Sequence, residues 1–330
     1  MKILVTGGGG FLGSHLVRAL VKQGHTVQTM SRELYPELDH LGIKQLRGDL
    51  QDPVAVIKAC RGQEVVFHTA SKVAMWGKWD SFYQTNTLGT KNLLRAAREQ
   101  GVTRFIYTST PSVVFSDCDL INAPNSTPYP PLDSYKSLYA KSKALAEKEV
   151  LNSHQNGEFM TVALRPHLIF GPGDKNIIPR LIQRAKSGKL RVVGDGQNQV
   201  DVIHVKNAVH AHLCALERLN KDSVIGGKSY FLGQEKPVVL WDFINQILAH
   251  YKLEPVTKKI SFTKAYRLGA MLEGLYKGLQ LYKKEPPMTR FVSMQLAKSH
   301  YFDHHESATE LGYKPIIELK DCFNDLDALT

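Results

Sequence analysis

Closely spaced cysteines are missing from this sequence. The four cysteines, Cys60, Cys118, Cys214 and Cys322, are far apart and form no C-x-x-C, which excludes a disulfide-stapled secreted scaffold, a zinc ribbon and a redox dithiol. Reduced thiols in a cytosol are the reading that remains. Long hydrophobic runs are missing too: charged residues interrupt every apolar segment well short of the ~18 residues that would span a bilayer. The opening Met1-Lys-Ile-Leu-Val-Thr6 runs straight into glycines, with no apolar signal core and no small-residue cleavage site. A soluble, cytoplasmic protein is expected, at most peripheral to a membrane.

Acidic charge is in deficit, with 31 Asp and Glu against 42 Lys and Arg and a formal net charge of +11. Such an excess suits nucleic acid, an anionic membrane or small anionic ligands. The basic residues are scattered, adjacent lysines occur only at Lys258-Lys259 and Lys283-Lys284, and no nucleic-acid module accompanies them. No nucleic-acid partner is expected; anionic small ligands are. His204, His210 and His212 invite a metal, but His204 falls on a strand pattern and the other two are only two apart on a helical one, so no metal site is expected.

What is present is a rhythm. Lys2 to Thr6 is a short apolar run ended by glycines, and Phe11 to Gln23 has helical spacing up to Gly24. Thr26 to Met30 is a strand, Pro53 to Ala59 a helix, Glu64 to His68 a strand, Asn86 to Glu99 a helix, Arg104 to Thr110 a strand, Leu138 to Leu151 a helix and Met160 to Arg165 a strand. The alternation predicts an α/β fold with a doubly wound parallel sheet of the Rossmann type. From about residue 171 helical segments prevail with no evident sheet of their own, which predicts a smaller, mostly helical C-terminal substrate domain. Ser116 to Ser134, carrying Pro124, Pro128, Pro130 and Pro131, reads as an irregular loop.

Gly7-Gly-Gly-Gly10-Phe11-Leu12-Gly13 lies where the first strand meets the first helix, the setting in which glycines let a pyrophosphate approach a helix N-terminus. A residue ending the second strand reads the adenosine ribose in such folds, and an acid there accepts from its 2′-OH. Here the strand ends in Ser31-Arg32. An arginine suits a 2′-phosphate, so NADP(H) is favoured and NAD(H) remains possible. Gly48-Asp49-Leu50 is placed beside the adenine, although Gly-Asp is also ordinary turn chemistry.

Tyr139 and Lys143 stand four apart on one helical face. Reduction of a carbonyl by hydride needs an acid for the developing alkoxide, and a phenol beside an ammonium can serve. At the end of the strand Arg104 to Thr110, alternation puts Thr108 and Thr110 on one side and Ser109 on the other. Thr110 is the expected hydroxyl for the substrate oxygen, with Ser109 as substitute.

Thr6-Gly-Gly-Gly-Gly-Phe-Leu-Gly13, His68-Thr-Ala70, Asn86-Thr-Leu-Gly-Thr90, Thr108-Ser-Thr110, Tyr139-x-x-x-Lys143 and Leu164-Arg-Pro166 with Phe170-Gly-Pro-Gly-Asp174 together resemble the extended short-chain dehydrogenase/reductase family over essentially the whole chain. The resemblance implies that Thr110, Tyr139 and Lys143 serve catalysis and that Asn86 supports the lysine's proton relay. It also implies a cofactor set of Gly7, Gly10, Phe11, Leu12, Gly13, Ser31, Arg32, Asp49, Leu50, Tyr139 and Lys143, with Ala70, Pro166 and Leu168 against the nicotinamide half. Interleaved domains follow from it: an NADP-binding Rossmann domain of residues 1–171 and 200–232, to which Asp201 to Leu219 returns, and a substrate-binding domain of residues 172–199 and 233–330. So does a homodimer through helices at about 83–100 and 137–153.

Nucleotide-sugar epimerases and dehydratases of this family bind diphosphate through an arginine in Gly-x-Gly-x-x-x-Arg-Asp. This chain reads Gly194-Asp-Gly-Gln-Asn-Gln-Val200-Asp201, and valine cannot neutralise a phosphate, although Arg180 or Arg191 offer a cation instead. Gly227-Lys-Ser-Tyr-Phe231, Glu285-Pro-Pro-Met-Thr-Arg-Phe291 and Glu310-Leu-Gly-Tyr-Lys-Pro315 resemble the branch of 3β-hydroxysteroid and sterol-4-carboxylate dehydrogenases. Arg32 to Leu38, Trp76-Gly77 with Asp80-Ser81, and Tyr107 to Val113 are similar, within it, to bacterial reductases of long-chain 2-alkyl-3-keto acids. The implied partner is a hydrophobic small molecule, a long-chain keto acid, held by Trp76 and Thr110 with Arg180 or Arg290 on its carboxylate. Trp79 is a further wall candidate. Between Phe262 and Lys284 an amphipathic stretch with basic residues beside it reads as an alkyl-pocket wall, a membrane-surface helix or a core-facing helix. Some family members bind NADP(H) as sensors without turnover; intact Tyr139, Lys143 and a hydroxyl donor argue against that here.

Overall fold

The computed structural model describes residues 1–326. Seven parallel strands form the main sheet: β1 (Lys2–Thr6), β2 (Thr26–Ser31), β3 (Lys44–Arg47), β4 (Val65–His68), β5 (Arg104–Thr108), β6 (Met160–Pro166) and β7 (Ser229–Leu232). Their order across the sheet is β7-β6-β5-β4-β1-β2-β3. The direction of winding reverses between β1 and β4, and such a switch point opens a crevice at the carboxyl edge.

Alternation explains why both faces are covered. Ile3 and Val5 of β1 join a cluster with Leu12, Leu16, Val17 and Leu20 of α1 (Phe11–Lys22), whereas Leu4 joins the opposite cluster with Val56 and Ala59 of α2 (Pro53–Cys60) and Leu93 and Ala97 of α3 (Gly89–Glu99). Successive side chains of a strand point to opposite faces, so a strand buried on both sides reads as a continuous apolar run. The helix α4 (Leu138–Asn152) packs with α3, and α5 (Val205–Arg218) lies beside α1 on the other face. Ser137 caps α4 by accepting from the Ala140 amide at 3.2 Å; this sets the helical phase of Tyr139 and Lys143.

Two sequence expectations are corrected. The C-terminal part does build a sheet: Val238–Val239, Gln199–Val200, His300–Phe302 and Leu120–Ala123 form a four-stranded one. Its last strand lies inside the stretch read as irregular loop. Strands of two to four residues are too short to show alternation. Helix does not begin at Asn86, either. Tyr83–Leu88 is π-helical and α3 starts at Gly89, a widened turn of the kind found at functional sites. A second core of Phe170, Val192, Val200, Trp241, Phe243 and Ile247 supports this part, and a smaller cluster of Phe115, Phe231, Phe291, Met294 and Phe302 joins it to the main sheet. The helix α6 (Phe262–Gly278) leans on that junction through Phe262 and Tyr266.

Candidate active site

The glycine turn is shaped by two close approaches. At Gly7, with φ +73°, a Cβ would stand 2.7 Å from the Ala70 Cα, and at Gly13 it would stand 2.2 Å from the Gly7 carbonyl oxygen. Any side chain would force the turn open. Gly10 caps α1 with no side chain, so the first-turn amides of Phe11, Leu12 and Gly13 face the crevice without a capping partner, an arrangement that attracts an anion. The cradle therefore fits the pyrophosphate of a dinucleotide. At the next strand end the Ser31 Oγ is buried and without a hydrogen-bond partner among the described residues. Arg47, opposite Ser31 in register, donates from Nε to the Arg32 carbonyl oxygen at 3.2 Å, so a second arginine reaches the end of this strand. Sequence reading missed Arg47; its signal was an arginine ending the third strand. Asp49 is used by its own turn, accepting from the Gln51 amide at 2.9 Å, and Leu50 is buried in the core.

At the other end of the crevice Tyr139 meets Thr110 and Ser71. Burial pushes its phenol up to about 12, against the influence of the neighbouring Thr110 and Ser71 hydroxyls, which favour the phenolate. Lys143, one turn on, is buried; its Nζ donates to the Thr108 carbonyl oxygen at 2.6 Å and lies 4.0 Å from the Tyr107 ring centroid. Burial brings the ammonium down to about 7, opposed by the Glu147 carboxylate. The side chain of Asn86 is consumed in holding the segment after Ala70: Oδ1 accepts from the Lys72 amide at 2.7 Å and the Ser71 hydroxyl at 3.3 Å, and Nδ2 donates to Ser142 Oγ at 2.9 Å. Asn86 thus reaches the site through Ser71, not through a bond to Lys143.

Alternation misplaced the hydroxyls. The strand stops at Thr108, whose Oγ1 bonds His212 Nε2 at 2.7 Å on the α5 side. The chain then leaves the sheet into a short turn over Pro111–Val113, capped by Thr110, and this swings Thr110 to Tyr139. Ser109 is buried against Glu147 on the α4 side, which removes it as a substitute.

A further group escaped sequence reading. Glu147 continues the spacing of Tyr139 and Lys143 by one more turn and is fully buried with Arg165. Arg165 donates to it from Nη2 at 2.6 Å and from Nε at 3.1 Å, and the Tyr129 hydroxyl donates at 2.5 Å. Burial raises the Glu147 pKa, and the charge and hydrogen bonds of Arg165 more than reverse that. The visible signals were the third member of a four-residue spacing and the arginine within Leu164-Arg-Pro166.

Beyond Pro166, Leu168 takes a left-handed backbone with φ +42°, an uncommon conformation for leucine that marks sites under constraint. Beside it His167 Nε2 and His300 Nδ1 meet at 2.7 Å; burial lowers the pKa of both rings. Trp76 reaches across to the end of α6, donating from Nε1 to the Leu281 carbonyl oxygen at 3.1 Å and stacking on Tyr282. Trp79 lies under the Lys141 ammonium. The two arginines expected for a substrate carboxylate each have a carboxylate already: Arg290 pairs with Glu273 at 2.7 Å and Arg180 with Glu285 at 3.0 Å. Neither is a free cation. Val200 is buried in its short strand. His204 pairs with Asp325, and His210 lies beside Cys214.

Comparison with known proteins decides the family. A sequence model of the 3-beta hydroxysteroid dehydrogenase/isomerase family matches residues 4–262. The chain belongs to this family. This family member is 43% identical to the 2-alkyl-3-oxoalkanoate reductase of Stenotrophomonas maltophilia over 99% of each chain. It is 33% identical to the sterol-4-alpha-carboxylate 3-dehydrogenase, decarboxylating, of Mus musculus, with 97% of this chain and 88% of that one covered. Among solved structures, that of gox2253 superimposes with a TM-score of 0.79 at 27% identity, covering 98% of this chain and 96% of that one. As a member of the family the chain is an NAD(P)-dependent oxidoreductase with the extended short-chain dehydrogenase fold.

Proposed function

We propose that the protein uses NADPH to reduce the 3-keto group of a long-chain 2-alkyl-3-keto acid to the 3-hydroxy acid. The observation that carries this reading is the half-buried Tyr139, whose hydroxyl meets those of Thr110 and Ser71 one helical turn before the buried Lys143. A nicotinamide bound in the crevice would supply the hydride for C3. Tyr139 gives its proton to the substrate's O3, while Thr110 donates a hydrogen bond to the same oxygen. Lys143 stabilises the phenolate left behind, since an adjacent cation favours the ionised form. Asn86 fixes Ser71, and through it the orientation of the phenol.

Arg32 and Arg47 support NADP(H): two arginines end neighbouring strands beside Ser31, whose hydroxyl has no partner among the described residues, at the corner where a 2′-phosphate would sit. In this reading residues 1–171 and 200–232 hold the cofactor, and residues 172–199 and 233–330 shape the substrate site. The alkyl chains lie against the apolar cluster next to Thr110 and Lys143, which includes Val113, Ala144, Phe115, Phe291, Met294 and Met75. The full-length likeness to 2-alkyl-3-oxoalkanoate reductases supports the substrate class.

The test is NADPH consumption by purified protein with 2-alkyl-3-keto acids of increasing chain length. Each added buried methylene is worth up to about 0.8 kcal/mol until the pocket is full, so kcat/KM rises steeply and then levels. A flat response to chain length, or turnover of a UDP-sugar with no NADPH consumed, overturns the reading.

A further inference from the structure

The helix α6 buries little for its length. Of its 17 residues only Ala265 and Gly269 are buried. Leu268, Met271, Leu275 and Leu279 recur at spacings of three and four, which puts them on one face. All are exposed, between 39% and 63%, and Leu281 extends the row. These five are among thirteen exposed large hydrophobic side chains in the described residues; the other eight are scattered singly, as on any soluble surface. Only here do they make a stripe.

The charge around the stripe has one sign. Residues 258–284 contain seven Lys and Arg against one acid, Glu273, and Glu273 is taken by Arg290. Lys264 and Arg267 flank the row near its start, and Lys283 and Lys284 follow its end; all four are exposed and none has an ion-pair partner among the described residues. Trp76, Tyr276 and Tyr282 cluster at that same end, and such amphipathic rings favour a membrane–water boundary. Among the described residues no helix is long and apolar enough to cross a membrane, so the geometry is that of a helix lying on one.

We propose that this face of α6 docks on an anionic lipid bilayer, with Leu268, Met271, Leu275 and Leu279 entering the headgroup boundary and Lys264, Arg267, Lys283 and Lys284 contacting lipid phosphates. A second copy of the chain is the poorer occupant, because the same basic flanks would meet each other. Through Trp76 the docked end connects to the segment that carries Ser71, at the mouth of the crevice. The docking rests on the exposed residues alone; its use, delivery of a long-chain substrate from the bilayer, rests on the reduction proposed above.

Sedimentation of the full-length protein with lipid vesicles tests this. Binding is expected to vesicles containing phosphatidylglycerol, to be weak with phosphatidylcholine alone, and to fall at about 0.5 M salt, where the screening length drops to a few ångström. Met271→Ser/Leu275→Ser/Leu279→Ser, and separately Lys264→Glu/Arg267→Glu, should each lower partitioning at least tenfold while NADPH consumption with a short, water-soluble substrate stays as in the wild type. Equal binding to both lipids, no binding to either, or triple-serine protein that binds like the wild type overturns the docking. A dimer in solution that the serine variant dissolves, without vesicle binding, reassigns the face to a second copy. Vesicle binding is read without turnover, so its failure leaves the proposed reaction standing and the reverse holds equally.

Discussion

Glu147→Leu is the most informative single perturbation of the site's foundation. The substitution removes the acceptor of three Arg165 hydrogen bonds and of the Tyr129 hydroxyl, in a place closed to water. Arg165 keeps only long hydrogen bonds, 3.5 Å to the Asn125 carbonyl oxygen and 3.4 Å to Tyr129, with the Phe231 ring 4.8 Å from its guanidinium. An unpaired buried charge of this kind costs roughly 3–5 kcal/mol, a large part of the roughly 5–15 kcal/mol that separates folded from unfolded protein. The double variant Glu147→Leu/Arg165→Met buries no charge, and replacing a buried pair by apolar residues is often nearly neutral. Urea denaturation of the wild type, the two single variants and the double one closes the cycle. The expected coupling is several kcal/mol, with the double variant more stable than Glu147→Leu. Additive losses, or a single-variant loss under about 1 kcal/mol, would show that the pair does not act as a buried unit. The pH dependence follows from the same contacts. Because Arg165 holds Glu147 below the ordinary carboxylate range, its contribution is complete above the unfolded pKa of about 4.3 and is lost as pH falls through the lower folded value. Glu147→Gln should lack that loss.

Arg32→Asp should weaken NADPH binding at least about tenfold, or 1.4 kcal/mol, while sparing NADH, because only the 2′-phosphate distinguishes the two; equal loss of both, measured by fluorescence titration, contradicts the assignment of this corner. With the Lys143 ammonium brought down to about 7, kcat/KM should decline on the alkaline side of that value, as the free protein loses the charge. Glu147→Gln should move the decline to lower pH, since the carboxylate favours the charged lysine; a profile that does not move refutes the coupling of these two residues.

The main sheet was legible because a strand buried on both faces leaves an apolar run and each crossover helix a four-residue spacing; the order of glycines, Ser31-Arg32, Thr108 to Thr110 and Tyr139 to Lys143 then marked one edge of it. What escaped had shorter or longer reach. The four-stranded sheet is made of pieces such as Gln199–Val200 and His300–Phe302, and residues 100 apart in the chain must pair before either looks like a strand. Thr110 was chosen for the substrate oxygen by an alternation that stops at Thr108, where the chain turns off the sheet and brings Thr110 beside Tyr139. Arg290 and Arg180 looked like free cations because their partners, Glu273 and Glu285, are brought to them by packing rather than by adjacency. The exposure of Leu268, Met271, Leu275 and Leu279 was equally invisible, since an amphipathic stripe reads the same in sequence whether its apolar face is covered or bare.

The claim that Tyr139 protonates the reduced carbonyl is tested most directly by Tyr139→Phe, assayed for NADPH consumption with a long-chain 2-alkyl-3-keto acid. The variant keeps the ring and loses only the hydroxyl, so kcat should fall by about 10² or more with NADPH affinity nearly retained. Turnover close to that of the wild type would mean that another group supplies the proton, and the assignment of the site would fail.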